Sequence, residues 1–544
     1  MMACRYHCNT HARQDAPMVS ITATYHLDQS ATLSHSSPAI ASKQAATPVA
    51  DTPSSPSSHV VLGQIPTGND PDIYSRHSLL SARTRYAWES DSQNTLSTTL
   101  QTAFESSRTA SRFKGIGGAL MQQLALNGGN SISQSLFTYT DNAPLTADEL
   151  KLQQQNLRNH PDNGVTFNLT TASGATVKLL LASSEKGLAV SAEVEGTELT
   201  ADELKGLGEL ADSFQSAIDG LYEVPPQLKL GSLVKLDPAV FTSLQMTAKL
   251  ETPSGEQAFD LALNDKARSL SLEGPSGQVK LSLDTQDAEL LGNRAQRKTA
   301  IDNYLNQFDA AQDRGHGDRH LVGLLKDAFT ALNSMDDNRQ PVTQRPLPLT
   351  DKDRALLSGL ADFKASISES ARSSNPMRPD EVDSFSFNLS QTTSINGRAL
   401  QNLSVEQHQQ SKLQASFHRA IGQQGALNLD NDRKSQNYTY HLIDDQASSS
   451  TRLAYDEGIL VEASATQQAS QKERVLTYIQ GDLKDDVTTP KAVTQSRNLL
   501  KVLNDTFEQS RHAQNGWEAS VLEDALQSQR SRWMLQVDPA KVAP

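Results

Sequence analysis

Apolar side chains alternate with polar ones over short stretches of the chain that are separated by turns containing glycine or proline. Three such stretches follow one another in 161–194, and four follow one another in 240–284. A period of two residues places every second side chain on the same face of a strand. Both regions therefore predict antiparallel β-meanders with one apolar face, and a further set of alternating stretches lies between 385 and 479.

Amphipathic helices are predicted beside these strands. In 200–221 the side chains of Thr200 and Glu203 form a capping box, and apolar residues then recur at helical spacing. The hexapeptide LTADEL that opens this helix also occurs at 145–150, where it predicts a second capped helix. Two helical stretches around Gly315 to Gly317 predict a helical hairpin.

The chain contains an apparent internal repeat. The pattern of 200–221 returns from Leu349 as LTDKDRALLSGLADFKASI, which predicts a capped helix over 350–371. The spacing Leu-x-Asp-x-Phe in 321–332 returns in 500–510. These matches predict an α+β fold with two related units, in which antiparallel β-meanders pack against amphipathic helices behind a disordered N-terminal arm.

The predicted organisation divides the chain by composition and pattern. It consists of a disordered Ser/Thr/Pro-rich arm over 1–72, a helical region over 73–160, a first meander-plus-helices unit over 161–335, a linker over 336–348, a second and related unit over 349–511, and a C-terminal amphipathic helix and tail over 512–544.

Composition narrows the class of function. The formal net charge is −14, and no basic run is interleaved with aromatic residues, which argues against a nucleic-acid partner. Both cysteines, Cys4 and Cys8, lie at the extreme N-terminus, so the predicted folded units contain no thiol. Met1 and Met18 are both candidate starts.

The sequence contains no window of 18 apolar residues and no classical signal peptide. We therefore expect no membrane span. Two locations stay open, which are the cytoplasm and the outside of the cell after export by a leaderless route.

Two stretches carry candidate chemistry. Gly115, Gly117 and Gly118 resemble a dinucleotide fingerprint, but Leu120 replaces its third small residue and no strand precedes it, which favours a break between helices. His316, Asp318 and His320 offer imidazole and carboxylate ligands for a metal ion within five residues. Gly317 weakens the helix that would align them, so a solvated loop is the competing interpretation.

The repeated LTADEL helix, the meanders and the Leu-x-Asp-x-Phe helices resemble a group of uncharacterised bacterial proteins. Some members of that group carry the label lactate dehydrogenase. The label implies a dinucleotide site and a parallel β-α-β order, and neither occurs in this sequence, so we expect no such activity and no cofactor.

The sequence therefore predicts a non-enzymatic bacterial binding or structural protein, and a protein partner is one form that its ligand could take. The alternative is a metal-dependent hydrolase that uses His316, Asp318 and His320. The catalytic residues of such an enzyme are not identified by the sequence.

Overall fold

One antiparallel sheet runs through the part of the chain that the structure describes. The structure is a computed structural model, and it describes residues 84–90, 94–105, 109–140, 145–338, 347–399, 401–422, 427–512, 526 and 529–542. Chain contacts separate Met1–Ser75 from Arg76–Pro544, and all described residues belong to the second unit. The predicted disordered arm over 1–72 lies outside the described residues.

The strands become longer toward the C-terminal end of the sheet. They are β1 Thr84–Trp88, β2 Ile132–Thr140, β3 Asn163–Thr171, β4 Thr176–Ser183, β5 Gly187–Glu195, β6 Phe241–Thr252, β7 Gly255–Leu263, β8 Ala267–Gly274, β9 Gly277–Asp284, β10 Asp362–Glu369, β11 Arg372–Ser373, β12 Val382–Asn396, β13 Ser404–Ala420, β14 Tyr438–Asp456, β15 Ile459–Ile479 and β16 Asp482–Asn498.

The order of the strands in the sheet is β1-β2-β5-β4-β3-β6-β7-β8-β9-β10-β12-β13-β14-β15-β16, and β11 pairs with β12 at the side. From β6 onward the order across the sheet follows the order along the chain. Strands β6 to β9 and β14 to β16 follow one another through short turns, as alternating apolar stretches with turn residues between them predict, whereas residues 285–361 separate β9 from β10. The meanders expected in 161–194 and 240–284 are confirmed.

The helices are α1 Thr95–Phe104, α2 Ile116–Leu126, α3 Ala147–Asn159, α4 Ala201–Tyr222, α5 Arg294–Gly315, α6 Arg319–Ser334, α7 Asp351–Arg354 and α8 Leu499–His512. Both predicted capping boxes are present, at Thr146 with Glu149 and at Thr200 with Glu203. The predicted hairpin of α5 and α6 is also present, with the turn at His316 to Asp318.

The two faces of the sheet have different surroundings. Most helices, together with residues 529–542, pack on one face, here called the helix-covered face, and enclose the main apolar core. On the opposite face, α3 packs on Phe137, Ala182 and Ala189 near one end of the sheet. Near the other end, a smaller cluster of tyrosines and leucines forms around Tyr438. Between these two covered ends, no other described segment packs on the second face, which is here called the open face.

The glycines at the start of α2 serve close helix packing. Gly115 precedes the helix with φ of 76°, a left-handed conformation that favours glycine. A Cβ atom on Gly117 would lie 2.7 Å from Cδ1 of Ile218 on α4, and one on Gly118 would lie 3.3 Å from the Ala211 carbonyl oxygen. Gly115 lies at a helix boundary, as predicted, but Gly117 and Gly118 lie inside α2, where the close approach of α2 to α4 explains the small residues.

The predicted helix over 350–371 is wrong. The Thr350 hydroxyl accepts a hydrogen bond from the Asp353 backbone N–H, so the N-terminal signal is real, but α7 ends at Arg354. Gly359 then adopts φ of 74°, and Asp362–Glu369 forms strand β10. The stretch DFKASISE alternates with a period of two, and this alternation outweighs the helical spacing because the core of the sheet lies beside it.

The predicted linker over 336–348 does not divide the sheet. Strand β9 pairs with β10 over eight residue positions, from Asp284 with Asp362 to Gly277 with Glu369. The predicted helical region over 73–160 contains strands β1 and β2 besides α1, α2 and α3. The predicted C-terminal helix falls mainly on 513–525, which lies outside the described residues, while Arg530–Arg532 forms one turn of 3-10 helix.

Candidate functional site

The three residues predicted to bind a metal have separate structural roles in the α5–α6 turn. Asp318 caps α6, and its carboxylate accepts hydrogen bonds from two backbone N–H groups, including that of His320 at 2.9 Å. The His320 ring nitrogen Nε2 lies 2.6 Å from the carbonyl oxygen of Pro226. His316 ends α5 with φ of 55°, and its ring packs on Phe417 with 4.2 Å between ring centroids.

Within the described ranges, no three His, Cys, Asp or Glu side chains are grouped so that they could hold a metal ion. Burial, with the nearby charges of Arg419 and His441, lowers the pKa of His316. A neutral imidazole is a competent ligand, but the side chains of Asp318 and His320 point to other partners. The geometry adds no support to the metal prediction, and metal analysis of the purified protein is its direct test.

A more extensive cavity lies elsewhere, on the open face of the long strands. It is a broad depression of about 950 Å³ across β10 and β12 to β16. We call it the polar trough, because its outward-facing side chains are amides, hydroxyls and cations: Lys364, Ser366, Asn388, Ser390, His408, Gln410, Lys412, Gln446, Ser448, Gln468, Ser470 and Thr494.

The register of the strands arranges these side chains in rows across the sheet. One row consists of Ser366, Asn388, Lys412, Gln446 and Ser470. The next row consists of Lys364, Ser390, Gln410, Ser448, Gln468 and Thr494. Residues that are directly opposite in paired strands share a face, so each row presents hydrogen-bonding groups one strand spacing apart, about 4.8 Å.

Glutamines on the helix-covered face of the same strands are buried and hydrogen-bonded. The Gln407 side-chain oxygen accepts from the Ser358 backbone N–H at 2.8 Å, and the Gln409 oxygen accepts from the Leu535 backbone N–H at 2.8 Å. These two side-chain amides accept hydrogen bonds from backbone N–H groups of the irregular segments that cover the core. Buried backbone groups need such partners.

The amides of the trough are exposed and have no such partners. Asn388, Gln410 and Gln446 are exposed, and none of their side chains hydrogen-bonds to another residue in the part of the chain that the structure describes. Each amide offers two donor hydrogens and one acceptor oxygen. These groups are therefore available to a ligand.

The trough is also locally basic. Lys364 and Lys412 are exposed, and among the described residues neither forms an ion pair. Among the described residues that line the depression, none carries a carboxylate. Asp444 and Glu406 lie on the same face but outside the lining, so the trough is a basic region on a chain of net charge −14.

A buried charged cluster lies beside the trough at the Tyr438 end of the open face. His418 Nδ1 lies 2.6 Å from an Asp383 carboxylate oxygen, and Nε2 lies 3.3 Å from Glu381. The Tyr438 hydroxyl donates to Glu381 at 2.6 Å. Burial alone would raise the pKa of Asp383, but hydrogen bonds from His418 and Ser374 hold it below its usual range. Both ring nitrogens of His418 face carboxylates, so this cluster connects β12, β13 and β14 with the segment before β12.

A second cavity of about 480 Å³ lies on the helix-covered face, between α5 and the strands. Its main cation is Arg314, whose guanidinium lies 3.1 Å from Asp445 and 2.7 Å from Glu473. Burial raises the pKa of Asp445 above its usual range, although the hydrogen bond and the charge of Arg314 partly lower that pKa. Because Arg314 is already paired with two carboxylates, it is less available to a ligand than the lysines of the trough are.

Comparison with known proteins adds no indication of the function. No protein-family model, curated protein or solved structure matches the chain. Among the described residues, every helix is too short or too polar to cross a bilayer.

The sequence contains the signal for the trough in the stretch VEQHQQSKLQ of β13. Its polar residues alternate between two faces, but composition does not distinguish Gln409, which is buried, from Gln410, which is exposed. Val405 and Leu413 lie on the same face as Gln409 and indicate which face is apolar, but the partners of the strand determine how its glutamines are used. The sequence therefore does not mark Lys364, Lys412 or the trough amides as functional residues.

Proposed function

We propose that this chain is a non-enzymatic binding protein that holds its ligand on the polar trough. The observation that carries the proposal is the contrast between the glutamines of the two faces. The side-chain amide of Gln409 hydrogen-bonds within the protein. The side chains of Gln410, Gln446 and Gln468, on the opposite face of the long strands, line the polar trough. Exposed amides without partners in the described chain can donate and accept hydrogen bonds to a ligand.

The dimensions of the trough favour an extended ligand. It crosses six strands, so its length is about five strand spacings, or roughly 24 Å. Its two rows repeat similar donors and acceptors along that length. A ligand with repeated polar groups can form hydrogen bonds with many of these side chains at once. Each hydrogen bond then needs to contribute only a small part of the binding free energy.

The experiment uses the full-length protein and a ligand panel measured by ligand-observed NMR and thermal shift. The panel contains neutral oligosaccharides, uronate oligosaccharides, short peptides and single-stranded RNA. The test variant is Gln410→Ala/Gln446→Ala/Gln468→Ala, which removes the three trough amides. The matched control is Gln101→Ala/Gln122→Ala/Gln155→Ala, which removes three exposed amides from α1, α2 and α3.

We expect at least one class of ligand to bind the native protein. The trough variant should lose about tenfold in affinity or more, since three hydrogen bonds of modest strength are removed, while the control binds as the native protein does. Panel-wide absence of binding, or binding that the trough variant retains in full, would contradict the proposal.

A further inference from the structure

We infer that the ligand of the polar trough is an acidic polysaccharide, a chain of hydroxyl-rich sugars that carry carboxylates. The inference rests on the proposed function and adds the chemical class of the ligand. The first observation concerns the charges of the trough. Lys364 and Lys412 are the lysines that line it, and among the described residues neither has a carboxylate partner. Opposite charge on a ligand would supply that partner.

The spacing of the two lysines favours a ligand with separated charges. Lys364 is on β10 and Lys412 is on β13, two strands away and in the neighbouring row. Two strand spacings are roughly 10 Å. A polymer with one carboxylate on each sugar can present anions at such intervals, with uncharged hydroxyls between them.

The side chains between the lysines match hydroxyl groups. Asn388 and Gln410 each carry donors and an acceptor, and the serine hydroxyls beside them donate and accept as well. A sugar hydroxyl also donates and accepts, so it can pair with any of these side chains in either direction. Repetition of such groups in both rows fits a repeating sugar chain.

The same features disfavour other anionic polymers. In the described part of the chain, no phenylalanine, tyrosine or tryptophan lines the trough, so nucleic-acid bases would find little stacking surface there beyond the ring of His408. An acidic peptide would gain more from apolar pockets, whereas the trough presents mainly amides and hydroxyls.

The experiment compares two ligands that differ only in charge. Oligogalacturonate of about ten sugars is one, and the other is the same oligomer after carboxyl reduction, which replaces each carboxylate by a neutral hydroxymethyl group. Binding to the full-length protein is measured by isothermal titration calorimetry at low salt in the presence of a chelator. The test variant is Lys364→Gln/Lys412→Gln, and the control is Lys205→Gln/Lys298→Gln, which removes the same charge from exposed positions on α4 and α5.

We expect the native protein to bind oligogalacturonate about tenfold more tightly than the reduced oligomer, because two charge contacts are lost with the carboxylates. The trough variant should lose about the same factor, the control should bind as the native protein does, and added salt should weaken only the charged ligand.

Equal binding of the two oligomers overturns the inference. If that equal binding is lost in the Gln410→Ala/Gln446→Ala/Gln468→Ala variant, the proposed function stands with a neutral ligand. Equal effects of the two lysine variants overturn the inference as well, since general electrostatics would then explain the binding. If neither oligomer binds, the inference is overturned, and the proposed function is decided separately by the ligand panel.

Discussion

At the scale of single residues, identical local sequence leads to different surroundings. Thr146 with Glu149 and Thr200 with Glu203 form the same capping box within the same hexapeptide. Glu149 is exposed, whereas Glu203 is 3% exposed and also accepts a hydrogen bond from the Ser173 backbone N–H at 3.1 Å. The second carboxylate therefore connects the turn between β3 and β4 to the start of α4.

The Glu203 carboxyl is the clearest case of a pKa set by these contacts. Burial by itself would raise the pKa of Glu203, but hydrogen bonds from Thr200, Ser173 and Thr171 lower it to about 2. The pKa of a glutamate in an unfolded chain is about 4.3. The ionised carboxylate therefore stabilises the fold above about pH 4, and this contribution is lost as pH falls toward 2.

We predict that Glu203→Gln lowers the free energy of unfolding by about 1–3 kcal/mol at pH 7, because Gln replaces a charged acceptor in a buried network. The difference from the native protein should shrink as pH falls from about 5 to 2. Urea denaturation followed by circular dichroism at several pH values measures it. Glu149→Gln is the matched control, and a loss as large as that of Glu203→Gln would contradict the assigned role.

At the scale of elements, close packing between helices depends on specific glycines. On α2, a Cβ atom at Gly117 would lie 2.7 Å from Ile218 Cδ1 and 3.0 Å from Phe214 Cε1. On α4, a Cβ atom at Gly208 would have no heavy atom within 4 Å. Both glycines lie inside helices, so the effect of helix propensity is the same at the two positions. They differ in how closely neighbouring side chains approach.

We predict that Gly117→Ala destabilises the protein by about 1–3 kcal/mol, since the added methyl group forces Ile218 and Phe214 to move. Gly208→Ala should stabilise it by up to about 1 kcal/mol, because alanine favours the helix and restricts the unfolded chain. Thermal and urea unfolding of the two variants measure both effects. The same sign of change in the two variants would show that packing of α2 on α4 does not determine the outcome.

At the scale of the whole molecule, elements from both predicted units share one core. The ring of Tyr304 on α5 contacts Phe363 on β10, with 5.0 Å between centroids, and Phe308 contacts Phe387 on β12 at 6.0 Å. The Tyr304 hydroxyl donates to Gln391 at 2.8 Å. A helix assigned by its sequence to the first unit therefore covers strands assigned to the second.

We predict that cutting the chain inside 339–346, at an inserted protease site, leaves the two pieces associated. The β9–β10 pairing and the contacts of α5 with β10 and β12 hold them together. The cut protein should elute as one species in size-exclusion chromatography and unfold in a single thermal transition, with a melting temperature within about 5 °C of the intact protein, since chain connectivity alone changes. Separation of the pieces under native conditions would restore the interpretation of two independent units.

The sequence by itself determined which segments form strands and helices wherever one period is strong and the turn residues agree with it. This holds for the meanders in 161–194 and 240–284, for both capping boxes and for the α5–α6 hairpin. It holds because hydrophobic periodicity, capping and turn chemistry are local properties of the chain. The segment 350–371 contains both a helix-start signal and the two-residue period of a strand. Local sequence rules do not decide which of the two determines its structure.

The tertiary structure alone decided which signal prevails, because β10 pairs with both β9 and β12 and buries Phe363, Ala365 and Ile367. A helix in its place would leave the facing edges of β9 and β12 unpaired. The tertiary structure also decided which face of each long strand is buried. Gln409 and Gln410 are chemically identical neighbours, and the covering segment around Leu535 makes one part of the core and leaves the other in the trough. Burial depends on what packs against a strand, and that is a property of the whole fold.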